Sequence, residues 1–299
     1  MTTTATPTDQ QRRGSLGGAL AQEWMRLRTL RSTWWLTAGA IAISLAIAVG
    51  LVFDAGSSTA GRSGDFSGGG APGDRQSPAA VLGDQESFAA VLSSAGQLVP
   101  LLMGLLGAFA FGHEYRYGTV LSTLTGTPRR SSVAVAKVVV LAAYAGFVGV
   151  VCVALSALVA TLFSSRFAPG VSLTGGATER VAGGTVLYIV LVALLGLGLG
   201  WLLRSIPAAV SIMLVFPLIG ETLIRLLLSI DFLEPIQGIG RYLPFSAGAQ
   251  LLDYSTAIDP NVPEAFFNDL TPLVGGLTLA AVVAVVLGAA YLLFQRRDA

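Results

Sequence analysis

The sequence predicts an all-α integral membrane protein with six transmembrane helices and both termini in the cytoplasm. Three observations predict it. Apolar residues make up 53% of the 299 and charged residues only 12%, with a mean hydropathy of +0.71; a soluble domain carries about 25% charged residues to cover its surface. Six segments are long and apolar enough to cross about 30 Å of hydrocarbon at ~1.5 Å per residue. The charges lie in short stretches between those segments rather than alternating along them, so barrel strands of about ten residues are excluded. A soluble enzyme, a disordered chain and a nucleic-acid-binding domain are excluded on the same grounds, and a net charge of +1 offers no basic stripe for phosphates. Cys152 is the sole cysteine, which rules out a disulfide within the chain and a cysteine metal cluster. The 36 glycines, and arginine in all but one of the 18 basic positions, look like the product of a GC-rich bacterial genome.

The elements follow in order. Residues 1–15 read as a disordered cytoplasmic tail. Residues 16–31 read as an amphipathic helix, with the boundary to the first span at residue 33: Leu16, Leu20, Trp24, Leu27 and Leu30 fall on one face. Such a helix suits the inner headgroup layer, with Arg26 and Arg28 near anionic lipid. Glu23 falls inside the apolar stripe, where a bare carboxylate is costly. It pairs either locally with Arg26 or with the cytoplasmic loop after span two. Trp34 and Trp35 mark the membrane interface.

The spans cover about 34–53, 88–112, 133–163, 181–203, 206–230 and 271–294. Unpaired backbone amides are too costly in lipid for anything but helices here. The first span exceeds the apolar core of a signal peptide and is read as an uncleaved helix. The loop from Asp54 to Ser87 is rich in Gly and Ser and is expected to be flexible, as a surface insertion or a substrate-capturing lip. Spans four and five are joined only by Arg204 and Ser205, which forces a hairpin, and Pro207 sits where a first-turn amide has no helical partner. Gly196 and Gly200 let span four approach a neighbour closely. Residues 231–270 are too polar to span yet hold apolar clusters at Tyr242–Phe245 and Leu251–Leu252, as short helices dipping into the membrane would.

Direction comes from the basic residues. Twelve, among them Arg12, Arg13, Arg129, Arg130, Lys137, Arg204, Arg296 and Arg297, fall on the side of the termini, and six fall on the other. The positive-inside rule places the termini in the cytoplasm. Within span five, Glu221 and Arg225 stand at i, i+4 with Glu first, the favourable order on a helix. They read either as a structural pair or as polar residues lining a translocation path or dimer seam. Pro217 deprives the Met213 carbonyl of its partner and favours a kink.

The loop GHEYRYGTVLSTLTGTPRRSSVAVAK, residues 112–137, brackets a short apolar helix near Thr119–Leu124 with charges, Gly118, Gly126 and Pro128. It suits a groove on another protein better than lipid. This pattern (Glu114, Arg116, Gly118-Thr119, then Thr127-Pro128-Arg129 and Lys137) resembles the permeases of type-2 ATP-binding-cassette exporters. Glu23-Trp24, Arg28-Thr29, Arg31-Ser32-Thr33-Trp34-Trp35 and Tyr242-Leu243-Pro244-Phe245 extend the likeness, towards actinobacterial members in particular. The long Gly-rich first loop departs from it.

The resemblance implies a connecting helix over 16–33 that includes Glu23, Trp24, Arg28 and Arg31, and a permease domain over 34–299. It implies a coupling helix built around Glu114, Arg116, Gly118, Thr119, Thr127, Pro128 and Arg129, and re-entrant outer helices before span six. The implied partners are two copies of a separate ATPase subunit, a second permease chain (a copy or a sister) and the lipid bilayer of the bacterial plasma membrane, with no nucleic acid. ATP and Mg would sit on the ATPase and no cofactor on this chain, which has no G-x-x-x-x-G-K-[ST] run. The chain is therefore expected to be a transport subunit and not itself an enzyme. Two rivals stand beside it. An integral membrane enzyme would have to use His113, the one histidine, without a second His at position 117. A non-transporting anchor or sensor would have to signal through the short segment before span one.

Overall fold

The computed structural model describes residues 16–60, 85–116, 130–163, 176–228, 230, 238–252 and 270–297. The described residues are helical, without strands. Among the described residues are ten α-helices: α1 (Leu16–Thr29), α2 (Arg31–Ala60), α3 (Gln85–Ser93), α4 (Ala95–Arg116), α5 (Arg130–Leu162), α6 (Gly176–Leu203), α7 (Ile206–Val215), α8 (Glu221–Leu228), α9 (Pro244–Ala249) and α10 (Pro272–Arg297). Six stretches are long and apolar enough to cross a membrane: Arg31–Phe53, Phe88–Ala110, Ser131–Leu162, Thr178–Leu203, Ile206–Leu228 and Pro272–Leu293. They coincide with the six expected spans. The Gly/Ser-rich stretch 61–84 and the 1–15 tail lie outside the described residues, although α2 continues to Ala60 and α3 starts at Gln85, so both edges of the expected first loop are helical.

Burial sorts the spans into centre and rim. The second and fourth are 78% and 61% buried along their most apolar windows, whereas the fifth is 11% buried. The centre is the α4–α6 pair, and glycine is the reason the two come together. A Cβ at Gly196 would strike the Gly104 carbonyl oxygen, one at Gly107 would strike the Ala193 carbonyl, and one at Gly200 would lie 2.6 Å from the Ala108 carbonyl oxygen. The two backbones touch where side chains would hold them apart, as small residues permit in apolar bundles. Around this pair one core joins α2, α3, α4, α5 and α6 through residues such as Val52, Met103, Leu141, Cys152 and Ile189. A second joins α4, α6, α7, α9 and α10 through Leu101, Val192, Met213, Phe245, Leu251 and Leu279.

Three local features differ from the sequence expectation. The amphipathic helix ends at Thr29 rather than at residue 33; Leu30 breaks it and Arg31 already belongs to α2. The indole of Trp34 donates to the Arg28 carbonyl oxygen at 2.9 Å, satisfying an acceptor that the end of α1 exposes. The second span is not one helix, since a turn at Ser94 divides α3 from α4. Leu252 fills the space beside the break, where Gly96 has no side chain. Within the fifth span a π-helical turn, Phe216–Gly220, separates α7 from α8, and the Glu221 amide donates to the Phe216 carbonyl oxygen. Pro217 has no amide to donate, which is the expected cause of such a defect.

The hairpin between spans four and five is as short as expected. Ser205 precedes α7 in extended conformation with Pro207 in the first turn. Arg204 ends α6 with a φ of 52°, a left-handed conformation that glycine adopts freely and that costs other residues about 1–2 kcal/mol. The segment 238–252 folds into short helical turns that bury Phe245, Ala247, Gly248 and Leu251. Glycines receive it: a Cβ at Gly184 on α6 would strike the Leu251 carbonyl, and one at Gly275 on α10 the Ala247 carbonyl.

Replacing Gly196 with Val forces α4 and α6 apart. The expected result is a loss of about 1–3 kcal/mol, the range for overpacked cores, read as a lowered Tm of the detergent-solubilised chain. Gly183→Ala is the control, because a Cβ there meets nothing within 4 Å; its Tm should hold or rise slightly.

Candidate functional site

The buried charges of the described residues resolve into two sites at different places in the bundle. The first joins α1 to α5. Ala19, Glu23 and Leu27, spaced at i, i+4 and i+8, are the buried residues of α1. The seam therefore centres on Glu23, while Leu16 and Trp24 of the expected apolar stripe are 52% and 44% exposed. Lys137, in the second turn of α5, is 3% exposed, and its Nζ lies 2.7 Å from Glu23 Oε1. Of the two partners the sequence offered Glu23, the structure provides the second, through Lys137, the last residue of the 112–137 stretch, which α5 takes into the third span. The pairing was latent in the sequence: the sole lysine and a carboxylate in an apolar stripe are opposite charges that each lack an aqueous home.

Neighbouring contacts hold this joint in register. Trp24 packs edge-on against Tyr144 of α5 with ring centroids 6.3 Å apart. The Tyr144 hydroxyl meets Thr37 Oγ1 of α2 at 2.7 Å. With the Trp34 indole on Arg28, these contacts tie α1, α2 and α5 into one unit. Arg28 and Arg31 are exposed, as are Trp34 and Trp35 at 62% and 78%, which suits the interfacial position expected of the two indoles.

The second site is Glu221, the first residue of α8, buried at 3% exposure. Its Oε1 accepts from the Phe245 amide at 2.7 Å. Its Oε2 accepts from the Ser246 amide at 2.8 Å and, more closely, from the Ser246 hydroxyl. These amides belong to the first turn of α9, whose own capping position is Leu243, a residue whose side chain has no hydrogen-bond acceptor. Glu221 therefore caps α9 from another helix, through charge-assisted hydrogen bonds. Phe216 packs on Phe245 with centroids 6.3 Å apart, and the Tyr188 hydroxyl approaches the Phe245 carbonyl oxygen at 3.5 Å. The sequence grouped Glu221 with Arg225. The structure gives both carboxylate oxygens to the α9 backbone and lays the Arg225 stem beside Gly240, with Cγ 3.8 Å from where a Cβ would stand. The sequence held no local signal for this cap, since the partners are 24 and 25 residues apart.

A third polar group went unnoticed in the sequence. Ser156 Oγ of α5 lies 3.3 Å from Ser44 Oγ of α2 and 3.1 Å from Ser94 Oγ at the α3–α4 break, and all three side chains are fully buried. The three serines are far apart in sequence, and only the packing unites them. Among the described residues no three His, Cys, Asp or Glu side chains converge on a point that could hold a metal ion.

The expected coupling residues are only partly placed. Glu114 and Arg116 lie in the last turns of α4. Their side chains, and the whole of Gly118, Thr119, Thr127, Pro128 and Arg129, lie outside the described residues. Lys137 stands near the start of α5, the helix that follows them in the chain. No family model matches the chain, and no curated protein matches it.

Glu23→Gln removes the carboxylate 2.7 Å from the buried Lys137 ammonium, and the expected loss is about 3–5 kcal/mol. The double variant Glu23→Leu with Lys137→Met should recover most of that Tm. For the second site, Glu221→Ala strips the Phe245 and Ser246 amides of their acceptor. Hydrogen exchange at 244–249 should rise about 10-fold or more, as expected from about 1–3 kcal/mol per orphaned buried donor, while exchange along α4 stays unchanged.

Proposed function

We propose that the chain is the transmembrane permease subunit of an ATP-driven exporter of the type-2 ATP-binding-cassette class. In this reading both termini face the cytoplasm of a bacterial plasma membrane. The chain pairs with a copy of itself or a sister permease, and two ATPase subunits, which carry the ATP and Mg, dock on the cytoplasmic loops. The substrate belongs to the drug, lipid or peptide classes. The family likeness of the loop and of the Glu23–Trp35 segment supports the assignment.

The Glu23–Lys137 pair is the observation that carries the mechanical part. It ties α1, the connecting helix of this reading, to the head of α5, which directly follows the coupling loop. A push on that loop would reach α1 and α5 together, because a buried charge pair resists separation. ATP closure of the two ATPases draws in the coupling helices around Thr119, and α4, α5 and α1 move with them. The two permease halves then rock between inward-open and outward-open states. The turns at 238–252, gripped by Glu221, act as the outer re-entrant element and ride with α8.

A photoactivatable crosslinker at Thr119 or Leu121 of the full chain in native membranes tests this. The expected product is an adduct with a soluble ATPase that also copurifies. Capture of lipid alone would remove the basis of the proposal. In vesicles holding the assembled complex, Glu23→Leu with Lys137→Met should leave ATPase binding intact while cutting transport-coupled ATP hydrolysis several-fold.

A further inference from the structure

The bundle carries a lateral groove of about 410 Å³ that neither charge site uses. Val135, Val138 and Val139 of α5, Trp201 of α6, and Leu287 and Tyr291 of α10 line it, with Ser131 at one end and Gly288 in its wall. Its surface is almost wholly apolar. Trp201 and Tyr291 meet edge-on at 6.3 Å and form a rigid aromatic side.

We propose that this groove holds one acyl chain of an anionic phospholipid, with the phosphate among the arginines at its polar end. Dimensions select the occupant. From Ser131 to Val139 is about 12 Å along the helix axis, so 410 Å³ leaves a cross-section of about 34 Å², less than half that of a helix ~10 Å wide with its side chains. A hydrocarbon chain fits along such a slot, whereas a helix of a second copy would have to lie over its open side. At a methylene volume close to the ~30 Å³ of a water, the groove takes on the order of a dozen methylenes.

Charge selects the headgroup. The groove lies where α5 begins and where α6 and α10 end. Arg130 is the first residue of α5, Arg296 and Arg297 close α10, and Arg204 follows three residues after Trp201. Arg204 occupies a left-handed position at which glycine would be unstrained, so this end keeps a cation where the backbone favours none. Clusters of arginine at the end of apolar helices attract anionic headgroups. The inference stands independently of the exporter reading.

The test uses the full chain in phosphatidylcholine nanodiscs, with either phosphatidylglycerol or phosphatidylcholine brominated on its acyl chains as a quencher of indole fluorescence. Subtracting the signal of Trp201→Phe isolates Trp201. Half-maximal quenching of Trp201 is expected at a several-fold lower mole fraction of the brominated anionic lipid than of the neutral one. Gly288→Phe should abolish that difference by filling the groove; a Cβ at Gly288 meets nothing within 4 Å, so the helix tolerates it. Val139→Phe, at a half-exposed position, is the second groove-filling variant and carries the test if the first folds poorly. The triple variant Arg204→Gln, Arg296→Gln, Arg297→Gln should bring the anionic lipid to the neutral lipid's mole fraction while quenching persists. Equal half-points for the two lipids in the unaltered chain would overturn the proposal, since the contact is then ordinary boundary lipid. A preference that survives a folded groove-filling variant would overturn it too, as would a Trp201 quenched by neither lipid, which assigns the groove to protein.

Discussion

Backbone-to-backbone contact between α4 and α6 is the constraint on which the rest of the structure depends. Without side chains at Gly104, Gly107, Gly196 and Gly200 the two helices meet at carbonyl distance. That contact sets α6 at the centre of both cores, and α2, α5 and α10 arrange themselves around the pair. The same device recurs where Gly184 and Gly275 admit the turns at 244–252. An apolar bundle gains little hydrophobic drive when helix leaves lipid for helix, so close packing has to supply the association. Glycine is the residue that permits it.

The second theme is how the bundle accommodates charge. Glu23 and Lys137 neutralise each other across two helices, and Glu221 spends its charge on two backbone amides and a hydroxyl. Both solutions are non-local, and both fasten a peripheral element to a span: α1 in one case, α9 in the other. A buried ion contributes little net stability compared with a well-packed apolar replacement, but it makes one arrangement much better than its neighbours. These two joints therefore specify where α1 and α9 sit more than they add to how tightly the bundle holds together.

The six long helices were legible in the sequence because length and hydropathy are local properties, and so was the Arg204–Ser205 hairpin, since two residues leave no alternative. Gly196 and Gly200 were read correctly as a packing device. The break at Ser94 was not legible, and the side chain that packs beside it on Gly96, Leu252, lies more than 150 residues away. The facing of α1 was legible in part: Leu27 and Glu23, which falls inside the apolar stripe, are buried and Trp24 packs on α5, but the lysine that neutralises Glu23 lies 114 residues on. Spans that are apolar all round present no preferred face. The Ser44–Ser94–Ser156 meeting point could therefore be found only in three dimensions.

The π-helical turn at Phe216–Gly220 has a consequence for the angular phase of the fifth span. Ala209 and Met213 are the buried residues before it, and a regular helix with 3.6 residues per turn would turn positions near 220 and 227, two and four turns on from Met213, inward. The buried residues after the turn are Glu221 and Leu228, each one position later. One surplus residue has advanced the inward stripe by a single step, about 100° of rotation. Drawing the same residues into a regular α-helix would erase that step and swing the carboxylate round the helix barrel, away from α9, whereas deleting one of them along with the turn would keep its facing. The hydrogen-bonding pattern of this short run, as much as the acid itself, decides whether the chain has a latch at that depth.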